Sequence, residues 1–92
     1  MSTSITLAGP DFLDRILGLV ERAHEETGVR SDDTIRRRAV MPLLDGSPHG
    51  AIWLVGPQKA PLGYVLVTFG WSLAHGGLEG WVDETYIRPS VR

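Results

Sequence analysis

Two adjacent carboxylates, Asp83 and Glu84, are the residues of this 92-residue sequence whose types and spacing best suit acid–base chemistry. They lie in a segment, 79–87, that predicts a strand, and successive side chains of a strand point to opposite faces. One carboxylate can therefore face a cleft while the other faces the core or solvent. A carboxylate in a partly dry cleft can act as a general base. The alternative is a solvated pair at a sheet edge, which the residues alone favour.

The other reactive side chains carry weaker patterns. His24, His49 and His75 lack metal-binding spacing, and the sequence has no cysteine, so no metal site is expected. Ser72 lacks the glycine context of a nucleophile elbow, which excludes that class of hydrolase. The run at 36–38 contains three arginines. Consecutive helix positions spread around the cylinder, so this run predicts a solvated face.

The composition is that of an ordinary globular chain. Hydrophobic residues make up 42% and charged residues 22%, which favours one folded domain. The formal charge is −2, and a dedicated nucleic-acid binder usually has a basic excess. No apolar stretch approaches the roughly 18 residues of a membrane span, and the N-terminus has no signal-peptide pattern. We expect a cytoplasmic protein that binds neither nucleic acid nor a membrane.

The elements that must position the carboxylates follow from periodicity and turn signals. Two amphipathic helices are predicted, at 10–27 and 32–45, with Ser31 or Asp33 as the N-cap of the second. Pro42 should kink this helix or divide it, because its ring removes a hydrogen-bond donor. The predicted strands are 4–8, 51–56, 62–71 and 79–87. The order β-α-α-β-β-β predicts an α/β (α+β) domain, in which two N-terminal helices cover one face of an antiparallel sheet.

The strand at 62–71 is apolar on both faces, and two helices can cover only one. An uncovered apolar face and an open edge are liabilities in a soluble monomer. The sequence therefore predicts a homo-oligomer built on the sheet, or a second chain that supplies the missing half. The expected contact residues are Tyr86, Ile87 and one or more of Trp53, Trp71 and Trp81.

The last strand and the residues after it resemble the Gcn5-related N-acetyltransferase (GNAT) family. In that family an acidic pair is followed by an aromatic and an aliphatic residue and then by a Pro-containing turn. Asp83-Glu84, Tyr86-Ile87 and Pro89 fill those places here. The segment 61–67 is similar to the family's third strand, and 69–77 is similar to a bacterial subgroup. The resemblance implies that residues 1–92 form a single, partial GNAT-like domain.

The resemblance implies acetyl transfer from acetyl-CoA to a primary amine of a small molecule or peptide, with Asp83 or Glu84 as the base. It implies that main-chain groups of Tyr86 and Ile87 contact the pantetheine arm, although the residues alone favour ordinary strand packing for these side chains. It also implies that Arg92 opens the acetyl-CoA loop. The acceptor-binding residues that it implies are His24, Glu25, Asp32, Asp33 and Trp71, and solvated positions are the alternative for these.

The sequence departs from the family pattern at its end. The loop pattern is R/Q-x-x-G-x-G/A, and Arg92 is both its first residue and the last of the chain. Its glycines, whose backbone N–H groups hold the pyrophosphate, are absent. We expect a truncated domain that by itself binds acetyl-CoA weakly or not at all and lacks activity. The alternative function is a non-catalytic, self-associating α/β module or a degenerate remnant of an acetyltransferase.

Overall fold

The computed structural model describes residues 4–92. Four strands are present: β1 (Ile5–Leu7), β2 (Gly50–Val55), β3 (Gly63–Ser72) and β4 (Gly77–Ile87). Two helices, α1 (Leu13–Thr27) and α2 (Asp33–Leu44), connect β1 to β2, and short 3-10 turns lie at Pro10–Phe12 and Pro89–Val91. The predicted order and fold class are confirmed.

The sheet is antiparallel throughout, with strand order β1-β2-β3-β4. Opposed residues share a face, so the pairs Leu54–Tyr64 and Tyr64–Tyr86 place these side chains together. They are buried under the two helices. The helix residues that form this core recur at helical spacing and are Ile16, Leu17, Leu19, Val20, Ala23, Val40 and Leu44.

The opposite face of the sheet is apolar and exposed. Leu7, Trp71 and Val82 are 59%, 70% and 67% exposed, and each is paired with another apolar residue across the sheet. Within residues 4–92, both helices pack on the other side of the sheet. The predicted uncovered face is therefore present in the described part of the chain.

A β-bulge interrupts the pairing of β3 with β4. Leu66 pairs with Glu84 but Val67 pairs with Val82, so Asp83 is an extra residue in β4. Because of this extra residue, the side chains of β4 before Asp83 point to the opposite faces of the sheet from those expected in an unbroken strand. Trp81 consequently pairs with Thr68, on the helix side of the sheet, whereas strict alternation from Ile87 would place it on the uncovered face.

The N-cap prediction for α2 was wrong, and so was one of the two alternatives given for Pro42, division of the helix. The N-cap is Asp32, whose carboxylate accepts a hydrogen bond from the Ile35 N–H at 2.8 Å, and not Ser31 or Asp33. Pro42 does not divide the helix, which continues to Leu44. Pro42 lies in the last turn and is exposed, so the carbonyl that it leaves without a helical donor is near solvent.

Neither helix in the described range 4–92 has the length and apolar character that a bilayer crossing requires.

Candidate active site

Glu84 projects from β4 toward the helices, because it pairs with Leu66 on the helix side of the sheet. Its Oε1 accepts two hydrogen bonds, from the Tyr64 hydroxyl at 2.5 Å and from His24 Nε2 at 3.0 Å. The Glu84 side chain is 35% exposed and that of His24 is 19% exposed. Strand β3 and helix α1 thus hold one oxygen of a carboxylate that solvent can still reach.

Tyr64 is the most buried member of this group. Its side chain is fully buried and its ring lies 6.2 Å from that of Tyr86. Burial and then the adjacent Glu84 carboxylate raise the pKa of the Tyr64 phenol well above its usual value of about 10. The phenol therefore stays protonated at neutral pH and donates to Glu84.

His24 lies in the last turn of α1 and connects Glu84 to the start of α2. A carboxylate can only accept, so His24 Nε2 donates to Glu84. The other ring nitrogen, Nδ1, lies 3.2 Å from Ser31 Oγ. In the neutral ring Nδ1 accepts from the Ser31 hydroxyl, and in the protonated ring it donates to it. A continuous path of hydrogen bonds thus joins Tyr64, Glu84, His24 and Ser31.

Arg36 ends this path on α2. Its Nη1 donates to the backbone oxygen of Ser31 and to Ser31 Oγ at 3.3 Å. Its Nη2 lies 3.9 Å from Oε1 of Glu21, whose side chain is 54% exposed. The Arg36 side chain is only 12% exposed, and its Nε is buried without a hydrogen-bond partner in the described chain. The prediction of a solvated arginine run was therefore wrong at Arg36.

These polar groups line a cavity of about 120 Å³ between α2 and the sheet. The polar residues at its wall are His24, Ser31, Arg36, Tyr64 and Glu84. The rest of the lining is apolar and consists of Val20, Ile35, Ala39, Val40, Leu43, Ile52 and Leu66. Within residues 4–92, both hydrogen bonds to the Glu84 carboxylate reach Oε1, which leaves Oε2 to accept from a ligand.

Of the residues predicted for catalysis and acceptor binding, the structure brings His24 and Glu84 together at this cavity. Asp83 is exposed at the bulge and does not line the cavity. The others lie elsewhere: Glu25 is exposed on α1, Asp32 caps α2, Asp33 pairs with Arg37 at 2.9 Å, and Trp71 lies on the uncovered face.

The residues predicted to contact the cofactor meet at the end of β4. The Arg88 N–H donates to the backbone oxygen of Leu62, the residue before β3, at 2.8 Å. Because successive residues of an antiparallel strand direct their main-chain groups to opposite sides, those of Ile87 point to the open edge of β4. Arg92 Nε donates to the Ile87 oxygen at 2.8 Å, and its guanidinium pairs with Glu26 at 2.7 Å. The same guanidinium lies over the Tyr86 ring, 5.6 Å from its centroid.

Sequence reasoning missed Ser31, Arg36 and Tyr64 as site residues. Arg36 could have been found from spacing, because Arg36, Val40 and Leu44 recur every four residues and share one helix face. Tyr64 could have been found from chemistry, since a buried tyrosine hydroxyl usually needs a partner. The sequence carries no comparable signal for Ser31.

The structure shows no group of three or more histidine, aspartate or glutamate side chains that could hold a metal ion, as far as residues 4–92 are concerned.

Comparison with known proteins gives structural matches only. No protein-family profile and no curated protein matches the sequence. Integron cassette protein HFX_CASS3, from the mobile metagenome of Cole Harbour Salt Marsh, is 30% identical, matches 96% of this chain and has a TM-score of 0.86. A protein described as a possible acetyltransferase of Clostridium difficile 630 is 22% identical over 100% of this chain, with a TM-score of 0.84. Another, described as a probable acetyltransferase, is 19% identical over 97% of it, with a TM-score of 0.85.

The chain spans 58%, 61% and 60% of the lengths of these three structures. The predicted resemblance of the fold is confirmed over nearly all of the chain. The polypeptide therefore has a truncated GNAT-like fold, similar to part of structures described as possible or probable acetyltransferases.

Proposed function

We propose that this chain carries the amine-binding part of an acetyl-CoA-dependent N-acetyltransferase site, with Glu84 as the general base. The acceptor is a primary amine of a small molecule or peptide. One observation carries the proposal: Glu84 lines the cavity, and within residues 4–92 the hydrogen bonds from Tyr64 and His24 both reach its Oε1.

The chemistry needs a carboxylate in a fixed position. An ammonium group must lose a proton before its nitrogen can attack a thioester, and a positioned carboxylate can accept that proton. The hydrogen bonds from Tyr64 and His24 hold Glu84 in one orientation. Asp83 is exposed and does not line the cavity, so we assign the role of base to Glu84 rather than to its neighbour.

Acetyl-CoA supplies the activated acetyl group as a thioester. The open edge of β4 suits its extended arm, because main-chain groups there can pair with a ligand as a further strand would. Arg92 must first release the Ile87 oxygen. Residues 81–92 contain no glycine and so cannot by themselves form a glycine-rich phosphate loop. We therefore propose that the chain alone binds acetyl-CoA weakly.

The test compares two isosteric variants of the adjacent carboxylates. Release of the CoA thiol is measured with millimolar acetyl-CoA and a panel of primary amines, at high protein concentration to offset weak binding. We expect Glu84→Gln to lower the rate on the order of 10²-fold and Asp83→Asn to leave it nearly unchanged. Full activity in the Glu84 variant would contradict the proposal, whereas no transfer by the unmodified chain would agree with the expectation that these 92 residues alone are inactive.

A second candidate function, self-association, is favoured by the uncovered face of the sheet. Leu7, Trp71 and Val82 are all more than half exposed on it. Large exposed apolar patches usually mark interaction sites. We propose that a second copy of the chain covers this face. Tyr86 cannot contribute its side chain as predicted, because it is buried next to Tyr64, and Trp81 lies on the helix side.

Sedimentation velocity at micromolar concentration tests self-association. We expect a dimer for the unmodified chain and a monomer for Val82→Lys, because the substitution places a charge in the apolar contact. Trp81→Lys is the matched control, since Trp81 is 62% exposed in the same strand but on the other side of the sheet. A compact monomer at these concentrations would contradict the proposal, even if a different protein were found to bind the uncovered face.

A further inference from the structure

The cavity lined by Glu84 is also lined by Arg36, a nearly buried cation whose charge is only weakly balanced by nearby anions. Arg36 is 12% exposed, and its one ion-pair partner in residues 4–92, Glu21, is 3.9 Å away and more than half exposed. The two hydrogen bonds of its Nη1 go to neutral oxygens of Ser31. A buried charge is costly unless it is paired, so this guanidinium is poised to bind an anion.

The distance between Arg36 and Glu84 is limited by the contacts that join them. The path runs from Glu84 through the His24 ring and Ser31 Oγ to Arg36 Nη1, and its hydrogen bonds measure 3.0, 3.2 and 3.3 Å. A ligand that contacts both charges must therefore carry its amine and its anionic group only a few bonds apart. The volume of about 120 Å³ likewise fits a small molecule.

We infer that the acceptor bound in this cavity is a small amino acid, whose ammonium lies against Glu84 Oε2 and whose carboxylate lies against Arg36. The apolar wall between these groups, formed by side chains such as Val40 and Leu66, packs against the carbon chain of the ligand. This inference rests on the proposed function, because it takes the Glu84 cavity to be the acceptor pocket. It adds that the pocket selects amines that also carry an anion.

The chemical reason is charge complementarity between the ligand and the two charged groups of the cavity. A bidentate guanidinium–carboxylate contact is stronger than a neutral hydrogen bond and fixes the orientation of the ligand. A simple alkylamine would satisfy Glu84 but leave Arg36 uncompensated. An amino acid satisfies both and brings no net charge into the cavity.

The experiment measures binding to the isotopically labelled 92-residue chain by NMR, without acetyl-CoA. The probes are unbranched ω-amino acids of two to five carbons, each compared with the alkylamine that carries a methyl group in place of the carboxylate. We expect at least one amino acid to bind about tenfold or more tightly than its alkylamine, the usual size of a charge-assisted contact. Its shifts should include the amides of Arg36 and Glu84.

Arg36→Gln should abolish this preference, whereas Arg38→Gln, an exposed neighbour on the same helix, should keep it. The ligand comparison on the unmodified chain decides the question even where Arg36→Gln does not fold. Equal binding of every amino acid and its alkylamine overturns the inference but leaves the proposed amine pocket intact. The role of Arg36 would then be limited to its hydrogen bonds with Ser31. No binding of either class overturns both the inference and the proposed acceptor pocket.

Discussion

The hydrogen bond from Tyr64 to Glu84 should contribute to the free energy of unfolding, and stability measurements can test this contribution without any ligand. Tyr64→Phe removes the hydroxyl and keeps the buried ring. A hydrogen bond to a charged acceptor contributes about 1.5–3 kcal/mol. Glu84 keeps His24 as a donor and is 35% exposed, so water can replace part of the contact. We therefore expect a loss at the lower end, about 1.5 kcal/mol near pH 8.

The same pair predicts how this loss changes with pH. The pKa of the Tyr64 phenol is raised above its usual value by burial and by Glu84. Below pH ~10 the phenol is protonated in both the folded and the unfolded state. Above pH ~10 the unfolded state releases the proton while the folded state retains it, so stability falls by about 1.4 kcal/mol per pH unit. Tyr64→Phe lacks this loss, and the difference between the two proteins should shrink to about zero near pH 11.

Urea unfolding followed by tryptophan fluorescence at pH 8, 9, 10 and 11 measures this difference. Tyr86→Phe is the control, because Tyr86 is also buried but its hydroxyl forms no hydrogen bond within residues 4–92. At pH 8 it should destabilise the chain less than Tyr64→Phe does. A difference between the unmodified chain and Tyr64→Phe that stays constant from pH 8 to pH 11 would refute the reasoning.

Three further predictions follow from single contacts. Gly63→Ala should lower the free energy of unfolding by about 3 kcal/mol in urea titrations, because the added Cβ would collide with the backbone oxygen of Tyr86. Gly77→Ala has open space around its Cβ and should be nearly neutral, and equal effects of the two substitutions would contradict the packing argument. Asp32→Ala should cost about 1 kcal/mol in the same assay through loss of the N-cap bond to Ile35, and no change would show that this cap is dispensable. Calorimetry should show that residues 1–92 alone bind acetyl-CoA with Kd weaker than about 1 μM, or roughly −8 kcal/mol. Tighter binding would contradict the argument that tight binding needs a glycine-rich phosphate loop.

The element order could be predicted because each segment carries its own periodic pattern. The apolar spacing of residues 16–23 predicts the buried face of α1. The two apolar faces of the strand at 62–71 predict that one side of the sheet is uncovered. Pro42 does not divide α2, because the cost of proline depends on its place in the helix. In the last, exposed turn it leaves one carbonyl near solvent and the helix continues.

The site could be predicted only in part, because its contacts join distant segments. Glu84 was singled out only together with Asp83, from the sequence around the two residues. Its partner His24 is 60 positions away, and Tyr64 is 20 positions away, so neither contact has a local signature. Arg36 was grouped with its neighbours in an arginine run, although its spacing to buried Val40 assigns it to the inner face. The family resemblance supplied the role of the carboxylates but not the residues that hold them.

The bulge at Asp83 explains how two adjacent carboxylates come to have different surroundings. Without it, Asp83 would pair with Val67 in an unbroken ladder. The bulge instead makes Asp83 the unpaired residue, exposed to solvent, while Glu84 stays in register with Leu66 beside Tyr64 and His24. Carboxylates in unlike environments can take unlike roles. The pairing of β4 with β3 thus selects Glu84 as the candidate base, and a sequence pattern within β4 alone could not have made that choice.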